Sequence, residues 1–237
     1  MKKKTAKFLT SAAGLVLALA FLVIFGGPSL LKAYVQLGVG SCQKIPVLCL
    51  CAGSEITNPA IDQDFKAQLI PYKFPKMQVS LPKGFNVVQE EMKEFYYTKG
   101  VRKYAGPVIY LLYEKPGFFI ALFPQSRKQG VSDNYTFISR TLSAQTPKIK
   151  NLSDTFFAIM KTIFTPNLGD QKNIKMVKFS LPEHKGYVTY NLAPSENYFD
   201  CDIIDKEDGF FKIYIKDRKG ILDLDKVFAI ISTAKKQ

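Results

Sequence analysis

Three of the four cysteines fall in one stretch, Gly40 to Cys51 (GSCQKIPVLCLC), and the single histidine, His184, stands beside Glu183 in the run PEHKG. Thiolates hold soft metals, lipids or one another, and a histidine beside a carboxylate can move protons. A structural zinc site uses C-x-x-C knuckles, whereas Cys42, Cys49 and Cys51 are separated by six and by one residue. The run VGSC (Val39 to Cys42) approximates a lipobox, but Cys42 lies seventeen residues beyond the end of the apolar run that would precede it. That leaves a disulfide, and four cysteines allow three pairings. A Cys49–Cys51 bridge is geometrically poor, since alternate residues of an extended chain point the same way about 7 Å apart. Cys42 is therefore expected to bridge either Cys49 or Cys51, closing a loop of eight to ten residues and leaving the other thiol free.

Catalytic constellations are scarce. The sequence holds no G-x-S-x-G elbow, Walker A loop, G-x-G-x-x-G fingerprint, C-x-x-C-H motif or H-E-x-x-H pair. Glu183 and His184 are expected to form an exposed turn pair, and no catalytic residue, metal or cofactor is assigned. Asp205, Glu207 and Asp208 gather in DCDIIDKEDG, but EF-hand spacing is missing and turn chemistry accounts for Asp208-Gly209. Asn134-Tyr135-Thr136 and Asn151-Leu152-Ser153 match the glycosylation acceptor pattern.

Basic residues interleave with aromatics in YYTKGVRKY (Tyr96 to Tyr104) and across Ser126 to Arg140. Arg102, Lys103, Tyr104, Arg127 and Lys128 are the surface candidates there. Such a mixture can stack bases and pair phosphates. The chain's expected location excludes nucleic acid, which leaves anionic lipid or glycan as the functional reading and a solvated rim as the plain one.

That location is read from the N-terminus. Met1-Lys2-Lys3-Lys4-Thr5-Ala6-Lys7 precedes eighteen uncharged residues, Phe8 to Phe25. At about 1.5 Å of rise per residue, such a run just crosses a hydrocarbon core of about 30 Å. Ala18-Leu19-Ala20 resembles a signal-peptidase site, yet the apolar run continues past it to Phe25, so retention as an anchor is expected. Four lysines before the span orient the N-terminus to the cytoplasm and place residues 28 onward on the exoplasmic, or periplasmic, side. The net charge of +13 is uneven: from Glu55 onward 27 basic residues face 20 acidic ones, a net of +7. A moderately basic domain beside a bilayer suits anionic headgroups or an acidic partner, or simply a soluble surface.

The organisation expected is residues 1–27 as lysine tip and transmembrane anchor, 28–75 as a juxtamembrane cysteine segment and linker, and 76–237 as a globular domain. Ser29 to Leu37 could form a short interfacial helix after the break at Gly26-Gly27-Pro28, and Ala52 to Pro75 reads as a polar linker. In the domain, Met77 to Val88 and Glu94 to Thr98 read as strands, and Val108 to Pro124 as a hairpin turning at Lys115-Pro116-Gly117. Ser126 to Lys150 reads as loop. Ser153 to Phe164 has helical spacing at Phe156, Ile159, Met160 and Ile163, with Ser153 as cap. Four strands come next between Ile174 and Lys216, and Leu222 to Lys236 closes the chain as a helix with Leu224, Val227, Phe228 and Ile231 on one stripe. Alternation turns Cys201 inward as a buried thiol. The fold expected is α+β: an antiparallel sheet with helices packed on its faces.

The runs VSLPKGF (Val79 to Phe85), FFIALFP (Phe118 to Pro124) and DKVFAIISTAK (Asp225 to Lys235), with the order of elements between them, resemble the PsbP-like superfamily. The resemblance implies an α-β-α sandwich behind an anchor and a non-enzymatic role as an extrinsic or assembly subunit. It carries no catalytic motif over to these residues. The expectation is therefore a single-pass membrane protein with protein partners in an envelope complex, the alternative being a lipid- or small-ligand-binding module.

Overall fold

β-Branched and aromatic residues recur at every second position through the C-terminal half, and there the chain folds back and forth as β6 (Lys175–Ser180), β7 (His184–Ala193), β8 (Glu196–Asp205) and β9 (Phe210–Asp217). The computed structural model describes residues 27–89, 106–165, 173–193 and 195–237. The run Phe8 to Phe25, the strand expected at Glu94 to Thr98, and Arg102, Lys103 and Tyr104 lie outside the described residues. Among the described residues no helix is long and apolar enough to cross a membrane.

The meander is the heart of a seven-stranded sheet. β5 (Val108–Glu114) lies antiparallel to β9, with Tyr110 opposite Tyr214. Outside it, β4 (Asn86–Gln89) runs parallel to β5, and at the other edge β1 (Ile56–Thr57) runs parallel to β6. The sheet is thus mixed rather than antiparallel. Hairpin loops tie β6 to β9 in turn, but β4 and β5 are separated by eighteen residues, long enough for the crossover that a parallel pair needs. A second sheet of three strands is built from β2 (Ile70–Lys73), β3 (Met77–Leu81) and β10 (Lys235–Lys236), with β3 in the middle.

Both faces of the large sheet are covered. On one, β3 and helix α6 (Leu224–Ile231) pack Val79, Val227, Phe228 and Ile231 onto Ile109, Phe199, Cys201, Ile203 and Ile213. On the other lie α3 (Phe118–Leu122), α4 (Asn134–Ser143) and α5 (Leu152–Phe164). They bring Phe119, Phe137 and Phe164 onto Phe210, with the Phe119 ring 4.8 Å from Phe137 and 5.0 Å from Phe210. Burying one such ring stabilises by about 1.5–3 kcal/mol. In β7, Gly186 marks a close approach of strands, because a Cβ there would stand 2.0 Å from the carbonyl oxygen of Asp202.

Several expectations are corrected. Val108 to Pro124 is a strand followed by a short helix, not a hairpin: Gly117 takes the left-handed conformation the turn requires (φ 70°), but the chain then winds into α3. Ser126 to Lys150 is mostly helical, since Asp133 and Thr136 cap each other's backbone in a capping box that starts α4. Asn151, rather than Ser153, caps α5, and the buried face is Phe157, Ala158, Met160, Lys161 and Phe164, turned from the expected stripe. Helix α6 ends at Ile231, and Lys235 and Lys236 leave it to pair with β3. Met77 to Val88 splits between the two sheets at the turn after Leu81. The expected linker carries β1, α2 (Gln63–Ala67) and β2, and it lays Ile61, Phe65, Leu69, Tyr72 and Phe74 against the core.

Candidate functional site

The cysteine stretch is fastened to the helical layer. Helix α1 (Gly27–Gly38) starts at Gly27 with Pro28 in its first turn, where a missing N–H costs nothing. Its inner face packs Leu31 and Val35 on Leu48, Ile149 and Ala158. Cys42 is bonded to Cys49, with Cα atoms 5.6 Å apart. Closing so short a loop removes about 2–3 kcal/mol of unfolded-state freedom. Past the bridge, Gln145 Nε2 donates to the Cys49 carbonyl at 3.3 Å. The fully buried Lys161 of α5 donates to the carbonyls of Leu50 at 2.5 Å and Ala144 at 2.8 Å. Burial pulls the Lys161 ammonium down to about 8, against a small opposing effect from Cys51. Of the two bridges left open by sequence, Cys42–Cys49 is the one formed, and Cys51 is an exposed free thiol while Cys201 is buried.

The outer face of α1 is bare. Leu30, Tyr34 and Leu37 are 62%, 64% and 89% exposed and share one side of the helix at spacings of four and three residues. Arg127 and Lys128 are exposed on a 3-10 turn, Pro124–Gln129, in the same helical layer. The structure sets no aromatic of the Ser126 to Arg140 segment beside them as a stacking platform: Phe137 is fully buried, and the Tyr135 ring lies under the Lys185 ammonium at 4.0 Å.

A second feature is an open groove of about 820 Å³ between the small sheet and the β8–β9 turn, lined among others by Ser80, His184, Asp205, Thr233 and Lys235. His184 is not in an exposed turn; it opens β7 and is 6% exposed, while Glu183 faces solvent and pairs with Lys206 at 2.6 Å. The imidazole bonds the Ala234 carbonyl and sits edge-on to Phe211, and burial lowers its pKa below the ordinary value. It was missed because pairing of His184 with Asp205 extends the strand into what reads as a turn. The neighbouring carboxylates are engaged by backbone: Asp205 Oδ1 accepts from Glu207 N and Gly209 N, and Asp208 accepts from Gly117 N, Asn134 N and Tyr135 N. Among the described residues no cluster of three or more metal-ligating side chains occurs.

The third feature is a buried ion cluster. Lys212 Nζ lies 2.7 Å from Oδ1 of both Asp200 and Asp202 and donates to the Phe164 carbonyl at 2.5 Å, all three side chains being essentially unexposed. Burial raises both carboxyls and the ammonium opposes it, while the two carboxylates in turn hold the lysine proton more firmly. Two acids against one base in a dry site favour one carboxylic acid, one carboxylate and one ammonium. Asp200 and Asp202 alternate with Phe199 and Cys201 and so take the opposite face of β8, and α5 roofs that face. The available signal was charge complementarity across strands, since Lys212 is the register partner of Asp202.

No family model, curated protein or solved structure matches the chain. Its sites are therefore read from their own chemistry. The ion cluster has its ammonium bonded to the carbonyl that ends α5, which ties helix to sheet as a structural clasp. The Asn134 acceptor pattern is likewise consumed by the fold: its side chain is fully buried, receiving Phe119 N and donating to the carbonyls of Lys115 and Asp208. Asn151 remains exposed.

Proposed function

We propose that the chain is a membrane-anchored, non-enzymatic envelope protein that serves as an accessory, scaffold or assembly subunit of a membrane complex, its domain on the exoplasmic side. The observation that carries this reading is the stapled collar. A helix with an uncovered apolar face comes directly after an eighteen-residue uncharged run, a disulfide staples the loop after it, and Lys161 and Gln145 fasten that loop to the domain through the carbonyls of Leu50 and Cys49. Such a bridge suits an oxidising compartment, in agreement with the orientation that the N-terminal lysines favour. Helices on both faces of a large sheet accord with the α-β-α sandwich implied by the PsbP-like resemblance, and so with a role as an assembly subunit. Extraction from native membranes in a mild detergent, followed by identification of co-purifying chains, tests it. Stoichiometric subunits are expected, and a chain that leaves the membrane alone at monomer mass contradicts the proposal.

The groove beside His184 favours a second reading, a module that binds a lipid or small ligand, because its volume falls in the range of ligand sites. Native mass spectrometry of the extracted protein separates the two. A retained small molecule lost on substitution of Thr233 by Trp supports the binding module, whereas its absence beside bound subunits supports the scaffold.

A further inference from the structure

Helix α1 is apolar on two sides, and the fold covers only one. Leu31 and Val35 are packed on the helical layer, while Leu30, Tyr34 and Leu37 stand on an adjoining face, about 110° round the helix axis and largely in solvent. The segments beside the helix are basic. Lys44 is in the disulfide loop, and Lys148 and Lys150 flank Ile149, on which Val35 rests. No acidic residue occurs before Glu55. The nearby Asp154 is engaged in the first turn of α5, accepting from Lys150 N at 2.8 Å.

We infer that this face lies in the headgroup region of an anionic bilayer, with α1 flat on the membrane, Leu30, Tyr34 and Leu37 at the acyl boundary and the lysines among the phosphates. An apolar stripe rimmed by lysines is the chemistry of interfacial helices. Connectivity selects lipid over a protein partner. The uncharged run ends at Phe25, and because a chain advances at most about 3.6 Å per residue, Leu30 stands within about 18 Å of the run's end. The inference rests on the proposal that the run spans the membrane. It adds an orientation: since Leu31 and Val35 hold α1 on Ile149 and Ala158 of the helical layer, that layer lies nearer the bilayer than the groove on the small-sheet side.

The chain contains no tryptophan, so one introduced residue reports its own surroundings. Full-length Leu37→Trp and, as control on the other side of the large sheet, Leu192→Trp are reconstituted into phosphatidylcholine–phosphatidylglycerol vesicles with and without brominated acyl chains. Leu37→Trp emission is expected to shift to the blue and to lose most of its intensity to brominated lipid, while Leu192→Trp keeps a water-like spectrum. Replacing Lys44, Lys148 and Lys150 together by Gln weakens the quenching of Leu37→Trp. If Leu37→Trp does not form the Cys42–Cys49 bridge, Leu30→Trp serves in its place. Quenching of the collar tryptophan no stronger than that of the control, in protein that floats with the vesicles, overturns the docked face and leaves the anchor standing. Protein that fails to float, or is stripped by alkaline carbonate, overturns the anchor and the docked face together.

Discussion

The ammonium of Lys161, in the middle of α5, donates to the carbonyl of Leu50 at 2.5 Å, between the Cys42–Cys49 bridge and the free thiol of Cys51. A lysine on the buried side of a helix thus holds the cysteine segment in place from within the domain. Its proton is held less firmly in the folded protein, to about 8, than in the unfolded chain, where an ordinary value near 10.5 applies. Between those two pH values the unfolded chain binds more protons, so the lysine's contribution to stability rises as pH rises. Denaturant unfolding of wild type and Lys161→Met at pH 7.5 and pH 10 should show wild type gaining on the variant at the higher pH, by at most about 3 kcal/mol. An unchanged difference would show the ammonium to be solvated.

The Asp200–Lys212–Asp202 cluster predicts an asymmetry between breaking and neutralising. Lys212→Met strands two buried acids and should destabilise by about 3–5 kcal/mol. Asp200→Asn removes the acid that burial keeps protonated and should be far milder. Because the folded-state pKa of Asp200 is raised, the wild-type acid favours folding at low pH and loses that advantage as pH rises above the ordinary carboxylate range. Asp200→Asn should therefore improve relative to wild type between pH 5 and pH 8 in thermal melts, and the opposite slope would exclude a protonated Asp200.

His184 carries the complementary signature. Its folded-state pKa is depressed by burial, so the unfolded chain takes up a proton first and stability falls as pH drops below about 6.5. His184→Phe is expected to flatten the stability profile between pH 7 and pH 5. A variant as acid-sensitive as wild type would place the sensitivity elsewhere.

Asp208 closes the β8–β9 turn in a left-handed conformation (φ 67°) and accepts from three backbone N–H groups, the nearest being Asn134 N at 2.9 Å. Asp208→Ala loses the acceptor and strains the turn, and should cost about 1–3 kcal/mol in chemical unfolding. Asp208→Asn, which tolerates that conformation and keeps one acceptor oxygen, should cost less.

What the sequence made legible was what depends on local pattern. The meander strands have an inward stripe such as Phe211, Ile213 and Ile215, and α6 has its stripe of Leu224, Val227, Phe228 and Ile231. The bridge was legible down to two pairings, because extended-chain geometry excluded Cys49–Cys51 but could not choose between Cys49 and Cys51 as the partner of Cys42. Helix α3 was illegible because five residues are too few to show a period, and α4 because its polar positions outweigh Phe137, Ile138 and Leu142 unless the Asp133–Thr136 capping box is noticed. The buried charges were hidden for a different reason. Alternation tells which residues share a face, but not that α5 will cover it, so Lys161, Asp200, Asp202 and Lys212 read as surface residues.

The side of the membrane on which Cys51 lies tests the central claim most directly. Sealed right-side-out vesicles from native membranes are treated with a membrane-impermeant maleimide before and after solubilisation, and the labelled residue is identified by mass. The account predicts that Cys51 is labelled in the intact vesicles, while Cys42 and Cys49 react only after reduction. Labelling of Cys51 only once the vesicles are opened, or in inside-out vesicles instead, would contradict it.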